Sequence, residues 1–86
     1  MIEFDMTVND PSGIHARPAG ILVKKAQGLS SEIRASCKGK TADLKRLISV
    51  MTLGAKQGDV ITISVSGENE KEDASVLRSF VESSGL

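Results

Sequence analysis

The residue best suited to chemistry is the only histidine, His15, inside the run GIHARPAG from Gly13 to Gly20. An uncharged imidazole nitrogen attacks phosphorus and can hold a phosphoryl group for a time. Arg17 stands two residues further on, and its planar guanidinium can bind two phosphoryl oxygens at once. The spacing predicts that a helix opens at about Ala16–Pro18, directly after His15. Proline suits a first helical turn because the N–H it lacks would have found no acceptor there. The opening N–H groups of a helix carry partial positive charge and lack intrahelical partners, so those of Ala16 and Arg17 would lie against an anion held on the ring. Phosphoryl transfer needs in-line positioning and stabilisation of negative charge more than covalent chemistry. One histidine, one arginine and a helix mouth therefore suffice for a carrier. They fall short of a complete enzyme, since no second histidine, Gly-rich lysine loop or metal-ligand cluster accompanies them. A lone histidine at a helix start is more often a cap or a surface residue than a site, and Arg17, Pro18 and the glycines do not overturn that on their own.

The elements that must position this run follow from periodicity. Ile2, Phe4, Met6 and Val8 alternate with Glu3, Asp5 and Thr7, which predicts a strand with one buried face. The turn formers Asn9-Asp10-Pro11-Ser12-Gly13 end it. Pro18, Leu22, Ala26 and Leu29, widened by Ala19 and Val23, mark the buried stripe of the helix after His15, with Gly28 as its stop. Gly20 inside it costs about 1 kcal/mol relative to alanine. Ile33, Ala35 and Cys37 alternate as a second strand with Cys37 toward the core, and Lys38-Gly39-Lys40 turns it into a short third strand near Thr41–Asp43. Leu44 to Leu53 reads as a short helix stopped by Gly54, and Val60 to Ser66 as a fourth strand. A last helix starts near Asn69, with Asn69 as cap and Glu72 in the capping-box position. Its stripe is Ala74, Leu77 and either Phe80 or Val81.

The order β-α-β-β-α-β-α in 86 residues predicts a single α+β domain spanning 1–86. Its expected form is an open-faced β-sandwich, a four-stranded antiparallel sheet with helices on one face. The first and second strands, joined by a helix, should run parallel, and the fourth slots antiparallel between them, giving sheet order 1-4-2-3. Eleven basic residues balance eleven acidic ones, and neither tyrosine nor tryptophan occurs, which argues against a nucleic-acid module. The expectations are a cytoplasmic protein with no signal peptide, no membrane insertion and no disulfide from its single cysteine.

The stretch LKRLISVMTLG from Leu44 points apolar side chains all round a helix of two or three turns. Two outcomes stay open. Either part of it is exposed as a docking patch, to which the adaptable Met51 is suited, or a small core wraps it entirely.

GIHARPAG and KRLISVMTLG, in this order and length, resemble the HPr family of histidine-containing phosphocarriers of the bacterial phosphoenolpyruvate-dependent sugar phosphotransferase system. The resemblance spans essentially the whole chain. It implies three helices on one side of the sheet and a phosphoryl group taken on Nδ1 of His15 from enzyme I. That group would pass to the IIA domain of a sugar permease, with Arg17 supporting it. It implies partner docking at Ser12, Ala16, Gly20, Leu47, Ile48, Met51 and Thr52, with no cofactor or metal, in a carrier that is monomeric and not itself an enzyme. There are departures. Arg46 stands where many relatives have a kinase-regulated serine and offers no hydroxyl, which removes the acceptor of that regulatory branch. Ser49 replaces a usual glycine, and Gly20 a larger small residue. Two other readings are a paralogous carrier in a nitrogen-related or other regulatory relay, and a binding module that carries no phosphate. The joint presence of His15 and Arg17 speaks against the second.

Overall fold

Alternation along the strands decides which face of the sheet is covered. The computed structural model describes residues 1–85. Its elements are β1 (Ile2–Thr7), α1 (Ala16–Gln27), β2 (Glu32–Cys37), β3 (Lys40–Asp43), α2 (Leu47–Met51), β4 (Val60–Ser66) and α3 (Glu70–Ser84). The four strands form one sheet in the order β1-β4-β2-β3, as predicted. β4 is antiparallel to both neighbours, so β1 and β2 run parallel on either side of it. Ile63 lies opposite Phe4 on one side and Ala35 on the other. Because side chains alternate with period two, this register places Phe4, Met6, Ile33, Ala35, Cys37, Ile61, Ile63 and Val65 on one face, all buried. The opposite face carries Glu3, Asp5, Arg34, Thr62 and Ser64. There the Thr62 hydroxyl donates to Asp5 (2.8 Å), the Ser64 hydroxyl to Glu3 (3.2 Å), and Arg34 Nε to Glu32 (3.0 Å).

The buried strand face is covered by Leu22, Val23 and Ala26 of α1, Val50 of α2, and Ala74, Leu77 and Val81 of α3, which join the strand residues in one core. Val81 completes the α3 stripe, whereas Phe80 is half-buried with Lys25 Nζ 5.4 Å above its ring. Cys37 is buried as expected.

The bounds of the second helix and the cap bonding of the third differ from the sequence reading. The second helix begins at Leu47, not Leu44. The Leu44 N–H pairs with the Ile33 carbonyl, the Lys45 N–H with the Asp43 carboxylate, and the Arg46 N–H with the Asp43 carbonyl. The Asp43 turn thus consumes the residues that apolar spacing had assigned to a first helical turn, and Leu44 is wholly buried as core. At α3, Asn69 is the N-cap but its side chain makes no cap bond; its amide donates to the Ser30 hydroxyl instead. The reach-back half of a capping box is made two residues earlier, where the Glu70 carboxylate accepts the Gly67 N–H (3.3 Å), so Glu72 plays no part in it.

A buried carboxylate ties α3 to the start of β2. Asp73 Oδ2 accepts the Ser31 hydroxyl (2.6 Å), the Ser31 N–H (2.9 Å) and the Ser30 hydroxyl (3.4 Å). The Ser31 hydroxyl above all, with its N–H, the Ser30 hydroxyl and the nearby Lys45 charge, holds the Asp73 carboxyl below its ordinary value of 3.8 against the opposing effect of burial. A carboxyl depressed on folding adds stability that is complete above its unfolded value and is lost as pH falls through the folded one. The urea midpoint should therefore decline as pH falls below about 4. Ser31→Ala should lower the midpoint at pH 7 and flatten that decline, as measured by urea unfolding across pH 2–7.

Candidate functional site

The loop before α1 is closed by its own backbone. Asp10 Oδ1 accepts the Ser12 N–H (2.9 Å) and the Asp10 carbonyl accepts the Gly13 N–H (2.8 Å). These are the turns an Asp-Pro-Ser-Gly stretch favours. Gly13 sits at φ 75°, against the chain that follows α2. A Cβ there would lie 2.5 Å from the Ala55 carbonyl oxygen, the same oxygen that accepts the Ile14 N–H at 3.0 Å. Ile14 is buried, which anchors the loop immediately before His15. Ala55 lies four residues beyond Met51, so this contact also draws the C-terminal end of α2 to the histidine loop.

His15 is the N-cap of α1 in extended conformation, and its carbonyl accepts the Ala19 N–H at 2.9 Å. Its ring does not cap the helix. The side chain is 44% exposed, with Nε2 3.7 Å from Asp10 Oδ1. The next residues define what the helix mouth offers. Pro18 has no N–H and the Ala19 N–H is used, which leaves the N–H groups of Ala16 and Arg17 with no acceptor among the described residues. Ala16 and Arg17 are exposed, and Arg17 makes no ion pair among the described residues. A half-exposed imidazole, two unpaired backbone donors and a free guanidinium meet the needs of a phosphoryl group held at the ring.

The exposure question at α2 is resolved by the structure. Val50 and Leu53 are buried, while Leu47 (39%), Ile48 (77%) and Met51 (39%) face solvent. α1 packs against α2, and the two are clamped at one end: Lys45 Nζ donates to the Leu29 carbonyl (2.7 Å) and Gln27 Nε2 to the Lys45 carbonyl (3.0 Å). Ser12 and Thr52 are exposed, the Thr52 hydroxyl donating to the Ser49 carbonyl, and Gly20 is half-buried with open space above it. Arg46 is the N-cap of α2, its Nε 3.6 Å from Asp43 Oδ2, which offsets a cation at a helix start.

Two participants escaped the sequence reading. Asp10 was counted only as a turn former, and nothing local reveals that its carboxylate reaches the ring five residues away. Ala55 touches the loop through a long-range carbonyl contact that carries no motif.

An open-faced α+β sandwich with a histidine at a helix mouth beside an apolar helix surface is the class that this fold and site define. Residues 2–83 match the family described as "PTS HPr component phosphorylation site". The chain is 41% identical to the phosphocarrier protein HPr of Buchnera aphidicola (subspecies Baizongia pistaciae), covering 94% of this chain and 95% of that protein. It is 44% identical to the phosphocarrier protein HPr of Lysinibacillus sphaericus, covering 93% and 91%. It superposes on the crystal structure of HPr-C-His from Thermoanaerobacter tengcongensis with a TM-score of 0.88 at 34% identity, covering 96% of this chain and 93% of that one. The chain therefore belongs to the HPr family of phosphocarriers of the phosphotransferase system. Among its described residues no helix is long and apolar enough to cross a membrane.

Proposed function

We propose that His15 accepts a phosphoryl group on Nδ1 from phosphorylated enzyme I and passes it to the IIA domain of sugar permeases. In this reading the protein is a cytoplasmic, monomeric, stoichiometric carrier that needs no cofactor. The observation that carries it is the half-exposed ring beside two backbone N–H groups that have no acceptor among the described residues. Those donors and the Arg17 guanidinium would take up charge on the equatorial phosphoryl oxygens as the group arrives, and would hold it without trapping it. Leu47, Ile48 and Met51 supply an apolar surface that successive partners could share, which suits brief contacts of modest area.

The test is incubation with phosphoenolpyruvate and enzyme I, followed by mass spectrometry. The expected product gains one phosphoryl group in a bond that is labile in acid and stable in alkali. Absence of the adduct would overturn the carrier reading. Formation only with the enzyme I of a nitrogen-related relay would assign the same chemistry to other partners. Arg17→Ala should keep its fold and accept the group roughly 10- to 100-fold more slowly in single-turnover kinetics, the size of one lost charge-assisted hydrogen bond. Loss of folding would instead mark Arg17 as structural.

A further inference from the structure

We propose that Asp10 is a positioning residue for His15: its carboxylate holds the imidazole proton on Nε2 and so leaves the Nδ1 lone pair as the nucleophile. The inference deepens the carrier reading above and rests on it for its consequence, but its geometry stands apart from any partner. Asp10 Oδ1 lies 3.7 Å from His15 Nε2 and, among the described residues, is the one carboxylate within 4.0 Å of the ring.

The carboxylate is held where it is. The same Oδ1 accepts the Ser12 N–H at 2.9 Å, and the Asp10 carbonyl accepts the Gly13 N–H at 2.8 Å. Gly13 and Ile14 are in turn fixed against Ala55. The Asp10 side chain is 20% exposed, less than half the exposure of the ring it faces. The negative charge therefore sits at a set distance from one particular ring nitrogen. The other charged side chain of the run, Arg17, follows on α1 and belongs to the phosphoryl side of the site.

A negative charge beside Nε2 favours a proton on that nitrogen and disfavours a lone pair there, the role that an acid plays beside histidine in many sites. Nδ1, on the other side of the ring, then carries the lone pair. In the transfer step that pair forms the bond to phosphorus. The bond from phosphorus to the donor breaks, and its electron pair stays on the donor. The Nε2 proton does not move. The ring passes from neutral to an N-phosphorylated cation, and the carboxylate now faces a positive charge. Passing the group onward reverses these changes. The opposite tautomer would put a proton on Nδ1 and block the attack.

The test reads the tautomer directly by nitrogen-15 NMR of the imidazole ring, on protein never exposed to a phosphoryl donor, at a pH above the ring's titration. The Nε2–H form should dominate in the native protein; a dominant Nδ1–H form would overturn the proposal without any variant. Asp10→Asn keeps an Oδ1 acceptor for the Ser12 N–H and removes the charge. It should raise the ratio of Nδ1–H to Nε2–H about two-fold, the effect of moving a proton from about 4 Å to about 6 Å from one unit charge in water, and slow single-turnover acceptance by up to about five-fold, because the ring becomes a full cation about 4 Å from that charge as the group arrives. An unchanged ratio in a folded Asp10→Asn variant would overturn the proposal. Failure of the carrier reading would show separately, as native protein that forms no adduct, with the tautomer ratio still measurable.

Discussion

His15→Ala is expected to abolish phosphoryl acceptance while leaving the protein folded. The argument depends on what the residue does and does not contribute to the fold. The helix-opening bond at this position comes from the His15 carbonyl to the Ala19 N–H, a backbone contact that any residue keeps. The ring makes no cap hydrogen bond, and it stands 44% exposed. Its truncation falls among surface changes, worth about 0.5 kcal/mol or less. The proposed nucleophile, by contrast, has no second histidine to replace it, and Cys37 is buried on the covered face of the sheet. The check is the same incubation with phosphoenolpyruvate and enzyme I, read by intact mass, beside urea unfolding of the two proteins. The expected result is no added phosphoryl group and an unfolding midpoint close to that of the native chain. Labelling that survives would place the acceptor on another side chain. A large fall in stability would mean that the ring is part of the architecture.

Period-two alternation in Ile2–Val8 and in Val60–Ser66 made both the strands and their buried face legible, because one face of an antiparallel sheet meets solvent and the other meets helices. Sheet order followed from connection rules applied to those strands. The start of α2 was illegible for a local reason: Asp43 captures the N–H groups of Lys45 and Arg46 in a turn, while apolar spacing from Leu44 imitates a helix. The α3 cap was placed at the right residue, Asn69, but its bonding was misread because Asn69 and Glu72 have the right types, yet Glu70, two residues before Glu72, is the side chain that reaches back, to Gly67. At the site, the kind of chemistry could be inferred from His15, Arg17 and the helix opening between them. The direction in which the ring faces could not. The ring lies 3.7 Å from Asp10, in a loop whose Gly13 and Ile14 are seated against Ala55, some forty residues away in the chain. Contacts of that kind arise only when distant elements are packed, and no residue type signals them.

That long-range seating makes Gly13→Ala the most damaging single methyl group expected in the loop. Gly13 adopts φ 75°, where a Cβ costs about 1–2 kcal/mol by itself. The added carbon would also stand 2.5 Å from the Ala55 oxygen and 3.0 Å from Lys56 Cα, both backbone atoms that cannot swing aside. Relief requires the two segments to part, which weakens the Ile14 N–H bond to Ala55, worth about 0.5–1.5 kcal/mol. A total loss of about 1.5–3.5 kcal/mol is a large fraction of the ~5–15 kcal/mol that holds a domain folded. Parting the segments also shifts His15 relative to the mouth of α1, and a displacement of about 1 Å can slow a positioned reaction roughly a hundredfold. Gly39 provides the comparison, since it has nearly the same backbone angle, φ 80°, with nothing within 4 Å of an added Cβ. Gly39→Ala should lose only the conformational part and accept the phosphoryl group at the native rate. Urea unfolding and single-turnover acceptance, measured on both variants, separate the two contributions. Equal losses of stability at the two positions, or a native transfer rate in Gly13→Ala, would show that the seating against Ala55 does not set the geometry of His15.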